Sequence, residues 1–391
     1  MRVPLAQSMS QSISKVYFPG LNALRFFAAS TVVFAHVEQV KGFWHLPVYP
    51  NAFLGAATSM AVTFFFVLSG FLITYLLFKE KESYQSIDVK KFYIRRIMRV
   101  WPLYYLIVFL AFVVLPNVPM FYVPGLSNEV SGKMPYNALF YLALMPNVAN
   151  VFDMMVVYAN QLWSIGVEEQ FYLFWPWLLK KQHRYTLLFG SIIAGFILAR
   201  NSFAFAASHS ANHQVAAVCS MLNSVLLLTR IDCMAIGGLV AFYVYYKHEW
   251  FARIFINRSA EVLSLLCIIG LAASGVYVPY IHHDLYAVVF SIFIINTSCN
   301  PKSLFCLEGP VWTSLGNISY GIYMYHVIAI GVMLAVFRAL HITLFPPAIN
   351  VALHIGTLLL TVLLAKLSYR YFETPFLVFK ERMTRVKSGS M

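Results

Sequence analysis

Apolar residues fall in long blocks along this chain, at 53–78, 231–246, 262–278 and 348–365 among other places. Blocks of this kind approach the roughly 20 residues that a helix needs to cross hydrocarbon. The pattern predicts helical spans at about 21–40, 53–77, 100–115, 165–179, 185–200, 230–246, 261–278, 283–298, 313–336 and 348–371. One further stretch, "YNALFYLALMPNVAN" (136–150), is apolar but short and carries Pro146 near its end. Counting it gives eleven spans, and omitting it gives ten.

Charge decides between the two counts. With the N-terminus inside and ten spans, the segments 79–99, 180–184, 247–258, Lys302 and 380–387 all lie on the inner side, and together they hold 18 Lys and Arg. The outer segments hold Lys41, Lys133 and Arg338, with Arg200 and Arg230 at span ends. Eleven spans would flip two basic segments outward and destroy the asymmetry that the positive-inside rule requires. Ten spans leave long outer segments at 116–162 and 201–229, with 136–150 as a re-entrant or interfacial helix.

Composition agrees. Of 391 residues, 60% are hydrophobic and only 11% are charged, with a mean hydropathy of +0.71. A soluble domain carries about a quarter charged residues. The expected fold class is therefore all-α, a polytopic integral membrane protein of about ten transmembrane helices. The net charge of +13 is absorbed by topology signals, so nucleic acid is not an expected partner and the lipid bilayer is. Five scattered cysteines without CxxC spacing fit neither a disulfide framework nor a metal site. No cleavage-site pattern follows the first apolar run, which Arg25 interrupts, so it reads as a retained span. The expectation is one membrane domain over 1–391, with cytoplasmic tails at 1–17 and 378–391.

Polar residues inside predicted spans mark the candidate chemistry, because they are costly there. In "ALRFFAASTVVFAH" (23–36), Arg25 and His36 are eleven residues apart. That spacing puts them on one helix face, separated by roughly 16 Å along the axis. "RRIMR" (95–99) pairs Arg96 with Arg99 at i and i+3, a fork suited to phosphate or, more simply, a headgroup-contacting cluster. "FFFVLSGFLIT" (64–74) places Ser69 and Gly70 in mid-membrane, where small residues permit close helix packing. "NQLWSIGVEEQFYLFWPW" (160–177) supplies Trp163, Ser164, Glu168 and Glu169. The carboxylates suit either a helix N-terminus or a hydroxyl-bearing sugar. "RIDCMAIGG" (230–238) places Arg230 and Asp232 at an outer helix start, where pairing with each other is the simple alternative. "NISYGIYMYHV" (317–327) sets Ser319, Tyr323 and His326 on one face. "SYRYFETPFL" (368–377) carries Glu373, with Arg370 as a simple ion-pair partner. Outer aromatic residues (Phe121, Tyr122, Tyr136, Tyr141 and Trp163) suit sugar stacking or an interfacial belt equally.

Taken in order, "LRFFAASTVVFAH", "FFFVLSGFLI", "RRIMRVWPLYY", "QLWSIGVEEQFYLFWP", "RIDCMAIGGLVA", "ISYGIYMYH" and "YFETP" resemble the acyltransferase 3 family, membrane proteins that move acyl groups onto sugars and other hydroxyl acceptors. The likeness runs from about residue 18 to 377. It implies that His36 is the essential first-span histidine, with Arg25 as its upstream basic partner. It also implies that Arg96 and Arg99 are the pair associated with the acyl-CoA donor, and that Glu373 is the family's late acidic residue. Some members carry an extra soluble hydrolase-like domain at the C-terminus. This sequence does not include one, so its task would be dispensable or fall to another protein.

The resulting expectation is a membrane O-acyltransferase, most simply an O-acetyltransferase. Catalysis would fall to His36 with Glu168 and Glu373. Arg25, Ser69, Arg96 and Arg99 would hold the donor, and Trp163, Glu169, Arg230, Asp232 and His326 would meet the acceptor. No cofactor is bound permanently; acyl-CoA, in the simplest case acetyl-CoA, is the co-substrate. The acceptor is a saccharide or lipid-linked sugar, and envelope-biosynthesis proteins are candidate partners. The location is the cell membrane, bacterial inner membrane, with both termini cytoplasmic. His36 acts either as general base or as an acylated nucleophile, and the sequence leaves both open. A glycan or lipid transporter is the alternative class, and a non-catalytic assembly protein the third. The scheme depends on a path from the inner arginines to His36.

Overall fold

The computed structural model describes residues 15–49, 52–123, 134–342, 346–384 and 386–388. The expected tail at 1–14, the outer Lys133, and Arg385 and 389–391 of the C-terminal tail lie outside the described residues. Sixteen α-helices fill those described. They are α1 (Leu21–Phe43), α2 (Ala52–Tyr84), α3 (Val89–Phe109), α4 (Met134–Leu142), α5 (Pro146–Val151), α6 (Trp163–Lys181), α7 (Tyr185–His209) and α8 (His213–Thr229). Then follow α9 (Ile231–Tyr245), α10 (Glu249–Phe255), α11 (Arg258–Ser274), α12 (His282–Cys299), α13 (Pro310–Asn317), α14 (Ser319–Ala339), α15 (Pro347–Ser368) and α16 (Thr374–Arg382). A two-residue parallel pair joins β1 (Lys15–Val16) to β2 (Lys387–Ser388), so the two described chain ends meet.

Among the described residues, six helical stretches are long and apolar enough to cross a bilayer, or seven if the bent α10–α11 pair is one span. The expected count of about ten is therefore not confirmed. The helices that fall short include α1, α6 and α12, and the reason is physical. They carry Arg25, Glu38 and Lys41, then Glu168 and Glu169, then Asp284 and Asn296. Polar residues turned inward lower a helix's hydropathy without exposing a charge to lipid.

One difference changes the topology reading. Residues 213–229, expected in an outer segment, form α8, which packs against α7. It then runs on into α9 to give a stretch His213–Tyr245. The junction is Arg230, at φ 42° in the left-handed region, a strained setting for a non-glycine residue. Residues 136–150 break into α4 and α5, neither long enough to span.

The core is organised around α2, whose most apolar window is 72% buried, whereas that of α7 is 11% buried and presents Leu187, Leu198 and Phe205 outward. An apolar exterior of this kind is what hydrocarbon solvates. Where α2 crosses α9, a β-carbon on Gly70 would lie 2.0 Å from the Met234 carbonyl oxygen, and one on Gly237 would lie 2.2 Å from that of Val67. Only glycine permits this approach, so the packing reading of Gly70 holds.

Candidate active site

A chamber of about 530 Å³ opens among α1, α2, α3, α6, α14 and α16. Its depth follows from the order of residues along each helix. At the mouth stand Leu76, Arg95, Lys380 and Glu381, and at the far end Val62, Ser164 and Tyr323. Tyr17 also lines it and donates to Glu308 Oε1 at 2.7 Å. Partial burial, then that carboxylate, pushes its phenol up to about 12, so it stays protonated.

Arg25, Arg96 and Arg99 all line the chamber, which brings together residues from α1 and α3 that the sequence holds 71 or more positions apart. Arg96 lies over the rings of Phe92 (5.6 Å) and Tyr172 (5.4 Å), and its Nε has no hydrogen-bond partner among the described residues. Arg99 lies over Tyr320 at 5.7 Å and reaches the Asn317 carbonyl at 3.4 Å. Arg95, by contrast, is committed to Glu80 at 3.0 Å. Lys380 adds a fourth cation without an ion-pair partner among the described residues. The sequence reading counted it only as a tail charge, since α16 gives no signal that it folds back over α3.

On the chamber wall, Glu168 accepts from Tyr172 (2.7 Å) and from Ser69 (3.1 Å). Tyr172 was missed in the sequence, although its i+4 spacing from Glu168 was readable. Arg96 and Arg25 lie within electrostatic reach of Glu168. Glu169 points elsewhere and accepts from Trp101 Nε1 at 2.8 Å, as the 100° turn between consecutive helical residues demands.

At the far end, Ser164 Oγ and Tyr323 Oη lie 2.7 Å apart, and Tyr323 Oη donates to the Gln161 carbonyl at 3.1 Å. One turn further along α14 is His326. Its Nε2 is 2.7 Å from His36 Nδ1, and its Nδ1 is 2.6 Å from the Tyr323 carbonyl oxygen. His36 keeps a partly exposed edge, while His326 is fully enclosed. Neither histidine lines the chamber. The continuous path expected from the arginines to His36 is therefore interrupted by the Tyr323 ring, whose centre is 5.7 Å from that of His326.

The residues expected to meet an acceptor do not form one surface. Trp163 stacks under Arg230 at 5.7 Å, and Arg230 donates to Thr63 Oγ1 at 3.1 Å. Asp232 does not pair with Arg230 as the simple alternative had it; it takes Arg200 at 2.9 Å. His326, with both ring nitrogens engaged inside the protein, has none left for a substrate. Glu373 accepts from Ser368 at 3.2 Å and lies within reach of Arg99. It packs beside Gly321, about 7.5 Å along α14 from His326, so it belongs to the arginine end. Arg370 stacks on Tyr371 at 5.4 Å instead of pairing with Glu373. Among the outer aromatics, Phe121 and Tyr141 are buried in the core, whereas Tyr122 and Tyr136 are exposed. Lys41, expected in a loop, is fully buried and bound by Glu38 at 2.9 Å and Asn350 at 2.8 Å. Asp232, Cys233 and Asp284 bring ligand-type atoms within 4.8 Å of one another, but Arg200 already sits against both carboxylates.

Comparison with known proteins places these features. O-acetyltransferase OatA of Staphylococcus aureus (strain NCTC 8325) is 27% identical over 399 residues, covering 94% of this chain and 58% of that protein. A putative O-acetyltransferase of S. aureus (strain COL) is 25% identical over 377 residues, covering 92% and 57%. The chain thus spans under two thirds of the length of these relatives. No solved structure matches it. The acyltransferase domain model matches residues 18–366, nearly all of the helical bundle, and the chain belongs to the acyltransferase 3 family.

Proposed function

We propose that this chain is a membrane O-acetyltransferase that takes an acyl group from acyl-CoA at the cytoplasmic face and delivers it to a hydroxyl of a cell-envelope saccharide or glycolipid. The observation that carries this reading is a chamber lined by four cations without ion-pair partners among the described residues, leading toward a hydrogen-bonded histidine. Family membership and relatives named as O-acetyltransferases support the same reaction. In this reading the arginine end, where both described termini meet, faces the cytoplasm of a bacterial inner membrane.

Each group then has a task. Arg96, Arg99, Arg25 and Lys380 hold the donor's phosphates, a role for which charge-assisted hydrogen bonds are suited. The pantetheine arm runs along Ser69, Glu168 and Tyr172 toward Ser164 and Tyr323. The Tyr323 ring swings aside to admit the acyl group to His36. The acceptor oxygen attacks the thioester carbonyl as His36 takes its proton, the carbon–sulfur bond breaks, and the departing thiolate receives that proton from His36. A positioned base of this kind contributes about 10²–10⁴-fold.

The test is thiol release from acetyl-CoA by the purified chain in nanodiscs with an envelope saccharide acceptor, against His36→Ala. A fall of at least about 10²-fold is expected. Equal release would overturn the reading and favour a transporter. Mass spectrometry of surface glycans from cells with and without the chain identifies the acceptor.

A further inference from the structure

Hydrogen-bond bookkeeping at the two histidines fixes more than their proximity. A backbone carbonyl has no proton to give, so His326 Nδ1, 2.6 Å from the Tyr323 oxygen, must be the donor. A neutral imidazole carries one N–H, which leaves His326 Nε2 with a lone pair. His36 Nδ1, 2.7 Å from that lone pair, must therefore donate. The remaining nitrogen of His36, Nε2, is left unprotonated and without a hydrogen-bond partner among the described residues. A second proton on His326 is disfavoured, because the residue is fully enclosed, no carboxylate is bonded to either ring among the described residues, and an unpaired buried charge is costly.

We infer that His326 is the positioning residue for His36: it fixes the tautomer that leaves His36 Nε2 as the free base, and it holds the ring in place. The ring planes lie 18° apart with centroids at 4.9 Å, so rotation of one ring breaks the bond to the other. The role matches that of the buried orienting group in a hydrolase triad, with a neutral imidazole where a carboxylate usually stands. A neutral partner selects the tautomer without placing a second charge inside the bilayer. The inference rests on the reading of His36 as the group that accepts the hydroxyl proton. It assigns His326 no contact with donor or acceptor.

The experiment compares wild type, His326→Ala, His326→Gln and His36→Ala as full-length chains in nanodiscs. Loss of the partner that orients a metal-bound histidine typically costs 10–100-fold, and His326→Ala should lower kcat by a comparable factor with KM for acetyl-CoA unchanged. A glutamine side-chain oxygen can accept from His36 Nδ1, so His326→Gln should recover most of the loss. Solid-state NMR of ¹⁵N-histidine-labelled protein reads the tautomer directly. His36, assigned by the signal missing in His36→Ala, should show a protonated Nδ1 and a bare Nε2 in wild type and His326→Gln. That signature should be lost in His326→Ala. A raised KM with unchanged kcat would make His326 a substrate contact and overturn the proposal, as would an unchanged kcat or a wild-type His36 protonated on Nε2. If His326→Ala fails to fold, the His326→Gln variant and the wild-type spectrum still decide. Full activity of His36→Ala would defeat the functional reading, and the tautomer assignment would be judged separately by the spectrum.

Discussion

Two groups of arginines lie inside this bundle, Arg200 buried and Arg25, Arg96 and Arg99 half-buried, and they are compensated differently. Arg200, on α7, is 4% exposed and gripped from two directions, by Asp232 at 2.9 Å and Asp284 at 2.6 Å, with the Tyr280 carbonyl at 2.8 Å. Those partners come from α9, the start of α12 and the turn before it, so one guanidinium ties three helices. Arg25, Arg96 and Arg99 form no ion pair among the described residues, and with Lys380 they line the chamber alongside Glu168 and Glu381. A cation whose every neighbour is protein is there to hold the fold. In the proposed reading, a cation without an ion-pair partner among the described residues is there to bind an anion from outside.

Breaking the first group should have the largest effect. Arg200→Met strands two carboxylates, and removing one partner of a buried pair costs about 3–5 kcal/mol. The midpoint of thermal unfolding in detergent should fall steeply; a shift equal to that of a surface substitution would erase the contrast. Removing a member of the second group should spare stability and weaken the donor. Arg96→Gln should lose about 1.5–3 kcal/mol of acetyl-CoA binding, the typical worth of a charged hydrogen bond. Its melting point should hold or rise, because like charges no longer crowd the chamber. A titration showing unchanged affinity would break the comparison from that side. The smallest effect concerns the α2–α9 crossing that links the groups, since Ser69 faces the chamber while Asp232 holds Arg200. Gly70→Ala drives a methyl against the Met234 carbonyl and should cost about 1–3 kcal/mol of stability. Gly190→Ala, with nothing within 4 Å of its added carbon, is the control for that melt.

The same contrast explains what was legible in the sequence. Arg25 and His36, on one face by their spacing, do both turn inward, and Ser319, Tyr323 and His326 do lie along the interior face of α14. Local periodicity carries that much. Partnership across the bundle leaves no such trace: His36 and His326 are 290 positions apart and Arg200 and Asp284 are 84 apart. Lys41 looked like a loop charge because its partners Glu38 and Asn350 give no sign of meeting in the linear pattern. Residues 213–229 looked like an outer segment because nothing local announces that the chain continues through a left-handed Arg230, a conformation sustained by Thr63 and Trp163 from other helices. Inward polar residues weaken the apolar signal of α1, α6 and α12, whereas the stretches that include α3, α7, α9 and α14 stay apolar enough to cross while carrying Arg96, Arg200, Asp232 and His326.

The hydroxyl pair of Ser164 and Tyr323 has an electrical consequence. A shaft lined by cations and open at both surfaces would short-circuit an energised membrane, where moving one elementary charge down 100 mV releases about 2.3 kcal/mol. In the proposed transfer, a plug of one tyrosine ring that opens only for the acyl chain would let a neutral acetyl group cross while small ions stay on their own side.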